Sequence, residues 1–124
     1  MEIRTLIVDD QQDVRLLMRL VIEQSNRGLV VSGEAAGGEE ALDLLESSEP
    51  SVVVLDEMMP DMNGLQTAAE IRARKPEQVI VLCSAYLDDE LIAAAHEVGV
   101  HWCVGKEHVG RLPDVIRDAH RAAS

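Results

Sequence analysis

Five polar residues stand where they could do chemistry together: Asp9, Asp10, Asp56, Ser84 and Lys106. Each follows a short apolar run. Ile3 to Val8 ends in Asp9–Asp10, Val52 to Leu55 in Asp56, Val79 to Cys83 in Ser84, and Trp102 to Val104 in Gly105–Lys106. Short β-branched runs bounded by turn residues read as fully buried strands. All five groups therefore sit where a strand stops and solvent begins. Asp56, in the stretch VVVLDEMMPDMNG from Val52 to Gly64, is on its own a helix cap, a metal ligand or a nucleophile. The other strand ends decide between these.

Three carboxylates converging at one sheet edge repel each other. At about 4 Å and an effective dielectric of about 20, each pair costs roughly 4 kcal/mol. A divalent cation removes that cost. A ligand set made only of oxygen favours a hard ion, and Mg²⁺, which is held by few carboxylates and keeps some of its waters, suits it. A carboxylate beside such an ion and a lysine is set up to accept a phosphoryl group, a reaction that needs positioning and charge neutralisation more than an acid–base pair. Asp56 is then the nucleophile. Lys106 neutralises phosphoryl oxygens and the Ser84 hydroxyl donates to one of them. No general acid or base is evident next to Asp56, which argues against a turnover enzyme.

The elements that must position these groups alternate along the chain. After the first strand, Val14, Leu17, Met18 and Val21 recur at helical spacing, predicting an amphipathic helix from Gln11 to about Gln24, closed by Asn26–Arg27–Gly28. Leu29 to Ser32 is a second strand. Gly37–Gly38 turns into a helix carrying Ala41, Leu42, Leu44 and Leu45, which Ser47 to Pro50 breaks. Beyond Gly64 a helix carries Leu65, Ala68, Ala69 and Ile71 and stops before Pro76. Leu87, Leu91, Ala94, Ala95 and Val98 form the next stripe, ended by Gly99. Pro113 and Asp114 suit the first turn of a last helix that buries Val115, Ile116 and Ala119.

Five strands alternating with helices, through connections too long for hairpins, predict a doubly wound parallel α/β sheet. Such sheets bind ligands at the carboxyl ends of their strands, near the point where strand order reverses. In the flavodoxin-like order 2-1-3-4-5, the four strands that contribute a polar group are adjacent. The second strand ends without one.

With 124 residues, 47% of them apolar, the chain is the size of one domain with one core. Aromatics make up 2%, so that core is aliphatic. A net charge of -12 argues against binding nucleic acid, whose affinity rests on Lys and Arg. Cys83 and Cys103 lie in apolar runs and read as reduced buried thiols. No signal peptide precedes the first strand, and no apolar run approaches the roughly 20 residues of a membrane span, so a cytoplasmic location is expected. His96, His101, His108 and His120 share no metal-ligand spacing and read as surface residues.

VDD at Val8 to Asp10, LDEMMPDMNG at Leu55 to Gly64, CSA at Cys83 to Ala85 and GK at Gly105–Lys106 together resemble the receiver domains of two-component response regulators. The resemblance covers nearly the whole chain and implies a single receiver domain over residues 1–124, with the flavodoxin-like (CheY-like) fold of five strands and five helices. IRTLIVDDQQDVR, VSGEAAGGEEAL and SAYLDDE look most like the nitrate/nitrogen-regulator (NarL/FixJ) subclass.

By resemblance, Asp56 is the phosphoacceptor, Asp10 a direct Mg²⁺ ligand, and Asp9 acts through metal-bound water. Met58 lends its backbone carbonyl to the metal, Ser84 is the switch hydroxyl, and Lys106 grips the phosphoryl group. A sensor histidine kinase or phosphotransfer protein would supply that group. The resemblance admits a homodimer and a C-terminal DNA-binding output domain, so the chain is either a stand-alone receiver or a piece of a longer regulator of transcription. Two positions depart from the pattern. Cys103 stands where the family usually has an aromatic switch, and Glu107 follows the lysine in place of the common proline. Trp102, next to Cys103, is expected to point to the opposite face.

Two other classes stay open at this point. A haloacid-dehalogenase-like phosphatase also uses a strand-end Asp but wants a second acid two residues on, where this chain has Met58. A pseudo-receiver scaffold would never take phosphate.

Overall fold

Successive side chains of a strand point to opposite faces of its sheet, and in this chain both sets are apolar. The computed structural model describes residues 2–123. Strands β1 (Ile3–Val8), β2 (Leu29–Ala35), β3 (Val52–Leu55), β4 (Val79–Ser84) and β5 (Trp102–Gly105) alternate with helices α1 (Gln12–Glu23), α2 (Gly38–Ser48), α3 (Gly64–Arg74), α4 (Asp89–Glu97) and α5 (Leu112–Ala122). All strand pairs are parallel, as the alternation predicts, and the order is β2-β1-β3-β4-β5, that of the flavodoxin-like fold.

Ile7, Val54, Val81 and Cys83 face Met18 and Ile22 of α1 and Leu112 and Ile116 of α5. Leu6, Val53, Leu55 and Leu82 face the other way, against Ala41 and Leu45 of α2, Ala68 and Ile71 of α3, and Ala95 of α4. The sheet is thus covered on both faces by aliphatic side chains. Each fully buried Val, Leu or Ile stabilises the fold by about 1.5–3 kcal/mol relative to exposure. That rigid double layer fixes the carboxyl ends of β1, β3, β4 and β5.

The fold corrects three local expectations and adds one element. β2 does not stop at Ser32 but continues to Ala35. Its pairing with β1 slips between Thr5 and Leu6, so Ser32–Gly33 is absorbed as a bulge. In α1, Leu17 is 47% exposed while Met18 and Ile22 are buried. At 3.6 residues per turn Leu17 stands about 100° around the helix from Met18, off the buried stripe; Leu16 and Leu20 also face solvent. Leu87 lies before α4, which starts only after Asp88 accepts from the Leu91 N–H at 2.8 Å as its N-cap. A 3-10 helix over Lys106–Arg111, which has no apolar period to announce it, joins β5 to α5.

Trp102 and Cys103 point to opposite faces, Trp102 toward the α1/α5 side and Cys103 toward the α2/α3/α4 side. Cys83 is paired in register with Val104, and Cys103 with Leu82. The two thiols therefore lie on opposite faces of the sheet, and both are free. Burial pushes the Cys83 thiol up to about 12, opposed by the charge of Lys106. Burial also raises Cys103. Neither is a reactive thiolate at neutral pH.

Candidate functional site

The site is built where β1 and β3 end side by side. Val8 and Leu55 are partners in register, and the Asp56 N–H donates to the Val8 carbonyl at 2.9 Å. This pairing brings the next residues of both strands, Asp9 and Asp56, to one edge. Both are buried, at 0% and 3% exposure, while Asp10 turns out to solvent. Carboxylate oxygens of Asp9, Asp10 and Asp56 lie within 4.8 Å of one another.

Lys106, the first residue after β5, reaches across the edge. Its Nζ lies 2.9 Å from Asp9 Oδ2 and 3.1 Å from Asp56 Oδ1. Three carboxylates against one ammonium leave two negative charges uncompensated. Burial and then the Asp9 charge raise Asp56, outweighing the hydrogen bond and charge of Lys106 and the Met58 N–H. Burial works against the Lys106 ammonium, but its hydrogen bonds and charge contacts with Asp9 and Asp56 outweigh it and raise its pKa.

The backbone around the acids is held from several sides. Asp9 Oδ1 accepts from the Gln11 N–H at 2.9 Å, and Arg15 Nη1 donates to the Asp9 carbonyl at 2.6 Å. Arg15 also pairs with Glu34, near the end of β2, at 3.2 Å. Gly64 closes the β3–α3 loop: its N–H donates to the Glu57 carbonyl at 2.8 Å, and a Cβ there would lie 2.4 Å from the Asp56 carbonyl oxygen. Only glycine permits that approach. Ser84, the last residue of β4, is buried, and its hydroxyl accepts from the Tyr86 N–H at 3.2 Å. The Met58 and Tyr86 side chains are 64% and 76% exposed. No peptide bond among the described residues is cis, so Lys106 is followed by a trans bond to Glu107.

Asp61, in the same loop, is a further positioning residue. Gly37 offers α2 no side-chain cap, and Asp61 supplies it from outside, accepting from the Gly38 N–H at 3.2 Å and the Glu39 N–H at 3.0 Å. The backbone N–H of Glu39, followed by that of Met62, holds its carboxyl below the usual range. The signal available in the sequence was a helix opening on Gly–Gly with no Ser, Thr, Asp or Asn to cap it.

The residues fit a hard divalent cation. Asp9 Oδ2 is buried against the Lys106 ammonium, 2.9 Å away. Three carboxylates with oxygens within 4.8 Å of one another, two of them buried against a single ammonium, with oxygen the sole donor type, suit a cation of the Mg²⁺ kind.

Residues 5–117 match the family described as Response regulator receiver domain. The chain is 34% identical to the chemotaxis protein CheY of Thermotoga maritima over 96 residues, 77% of this chain and 78% of that protein. It is 32% identical to the transcriptional regulatory protein YxjL of Bacillus subtilis over 123 residues, 99% of this chain and 55% of that protein. A two-component response regulator of the LuxR family from Aurantimonas sp. SI85-9A1 superimposes with a TM-score of 0.92 at 27% identity, covering 98% of this chain and 87% of that one. The chain belongs to the receiver family of two-component response regulators. The LuxR-family neighbour agrees with the subclass that IRTLIVDDQQDVR resembles.

Proposed function

We propose that this receiver is a phosphorylation-dependent switch whose acceptor is Asp56. The observation that carries the reading is the buried Asp56 carboxylate held between Asp9 and the Lys106 ammonium at a strand end. An Asp56 oxygen attacks the phosphorus of a phosphohistidine on a sensor kinase or phosphotransfer protein. The P–O bond forms as the P–N bond breaks, and the donor imidazole leaves with the electron pair. Lys106 offsets charge on the transferred group. The Ser84 hydroxyl, released from the Tyr86 N–H, donates to one of its oxygens.

The carboxylates of Asp9, Asp10 and Asp56, with the Met58 carbonyl, are the residues that would hold Mg²⁺, Asp10 directly and Asp9 through water. When bound, the ion neutralises charge on the acceptor and the incoming phosphoryl group. The chain's own residues then convert a local charge change into a shift of the α4–β5–α5 face, a two-state element biased at one end. The YxjL and LuxR-family likenesses support an output in transcription regulation through a DNA-binding domain outside this chain, with the receiver itself making no nucleic-acid contact. A homodimer suits that output. Among the described residues no helix is long and apolar enough to cross a membrane; the cytoplasmic placement rests on the family.

Incubation with a small-molecule phosphodonor and Mg²⁺ tests the reading. One acid-stable, base-labile label per chain is expected. Continuous phosphate release would indicate a phosphatase, and no label would indicate a scaffold without phosphoryl chemistry.

A further inference from the structure

The four histidines share no metal-ligand spacing in sequence, but the fold brings two of them together. His96 lies in the last turn of α4, and His101 directly precedes β5. Between them Gly99, at φ 84, folds the chain back. The two Nδ1 atoms are 2.7 Å apart, with ring centroids 4.3 Å apart and planes at 70°. Both side chains are exposed. At that separation one Nδ1 carries a hydrogen and the other a lone pair. Two ring nitrogens are thus aimed at one shared position that holds a single proton.

We propose that His96 and His101 form a two-imidazole site for a borderline divalent cation of the Zn²⁺, Ni²⁺ or Cu²⁺ class, which ties the end of α4 to the start of β5. Neutral imidazole suits these ions, whereas Mg²⁺ takes oxygen. The carboxylate cluster and the histidine pair therefore sort ions by ligand type. Metal–nitrogen bonds of about 2.0–2.1 Å in tetrahedral geometry set two nitrogens roughly 3.3 Å apart. The rings must part by roughly half an ångström to admit the ion, and solvent-exposed side chains have that freedom. Both Nδ1 lone pairs go to the ion. The ring that carried Nδ1–H returns that proton, through solvent, to its own Nε2, so the neutral pair binds without net proton release. Water completes the coordination. The partial negative charge at the C-terminus of α4 adds attraction for a cation. α4 buries only Ala95 among its residues, so a tie at its last turn restrains a lightly packed helix.

The test is a calorimetric titration of untagged protein with Ni²⁺ in the presence of excess Mg²⁺, followed by NMR of the imidazole signals. One ion per chain is expected, with His96 and His101 signals shifting and those of His108 and His120 unmoved. His96→Ala and His101→Ala, both at exposed positions, are each expected to weaken Ni²⁺ binding at least tenfold with an unchanged circular dichroism spectrum. Binding only at the acids would appear as equal affinity in wild type and both histidine variants, or as loss in Asp10→Ala alone. Either result overturns the proposal.

Discussion

Nζ of Lys106 lies 3.1 Å from Oδ1 of Asp56, while the same nitrogen lies 2.9 Å from Asp9. One ammonium thus serves two buried carboxylates. Removing it strands both. Lys106→Met is expected to lower stability in EDTA at pH 7 by about 2–3 kcal/mol, somewhat below the figure for a fully buried pair because the lysine is partly exposed. The same variant is expected to raise the Asp56 pKa further. Urea unfolding and carboxyl NMR read the two effects.

Asp10 and Asp9 differ in surroundings, and their variants are expected to separate accordingly. Asp10 is exposed and has no ion pair to lose, whereas Asp9 is buried against Lys106 and accepts from Gln11. Asp10→Ala is expected to weaken Mg²⁺ binding more than Asp9→Ala and to leave or raise metal-free stability. Asp9→Ala is expected to cost stability. Mg²⁺ titrations and thermal melts of both variants check this, and equal Mg²⁺ affinity in wild type and Asp10→Ala would count against the ligand assignment.

Asp61 joins the loop after β3 to the start of α2. Asp61→Ala removes a helix cap and is expected to cost about 1 kcal/mol at neutral pH. Its folded pKa is depressed by the α2 backbone N–H groups. The stability it contributes is therefore present above its unfolded pKa, near about 4, and is lost as pH falls through the folded value. The gap between wild type and variant is expected to be constant from pH 6 to 8 and to close below about pH 4. Denaturant melts across that range measure it.

Met58 and Tyr86 stand two residues beyond the acceptor and the switch hydroxyl, and neither brings a carboxylate or amide to orient an attacking water. On the reading that they shield the phosphoryl group, the phosphorylated state is long-lived. Met58→Asn with Tyr86→Glu is expected to speed its decay about tenfold, or about 1.4 kcal/mol in barrier. First-order loss of label after donor removal, at constant Mg²⁺, gives the rate; an unchanged or slower decay counts against shielding.

The parallel sheet and the five polar residues at four of its strand ends were legible because buried parallel strands write themselves as apolar runs, and a residue that ends such a run is forced to one edge; the strand order came with the family resemblance. Local periodicity failed where tertiary contacts overrode it. Ser32–Gly33 looks like a stop but is a bulge that β1 pairing carries through. Leu17 has the right type for the α1 stripe and the wrong angle. Asp61 and the His96–His101 pair depend on chain reversals that no spacing rule encodes.

On the proposed reading, Asp56 takes the phosphoryl group. Asp56→Asn keeps the shape of the side chain and removes its nucleophilic charge. It also removes a buried carboxylate whose pKa the fold raises, so metal-free stability at pH 7 is expected to hold or rise. Intact-mass measurement after incubation with acetyl phosphate and Mg²⁺ is the direct test. One phosphoryl group is expected on the wild type and none on a folded Asp56→Asn protein; a label that persists in the variant would contradict Asp56 as the acceptor.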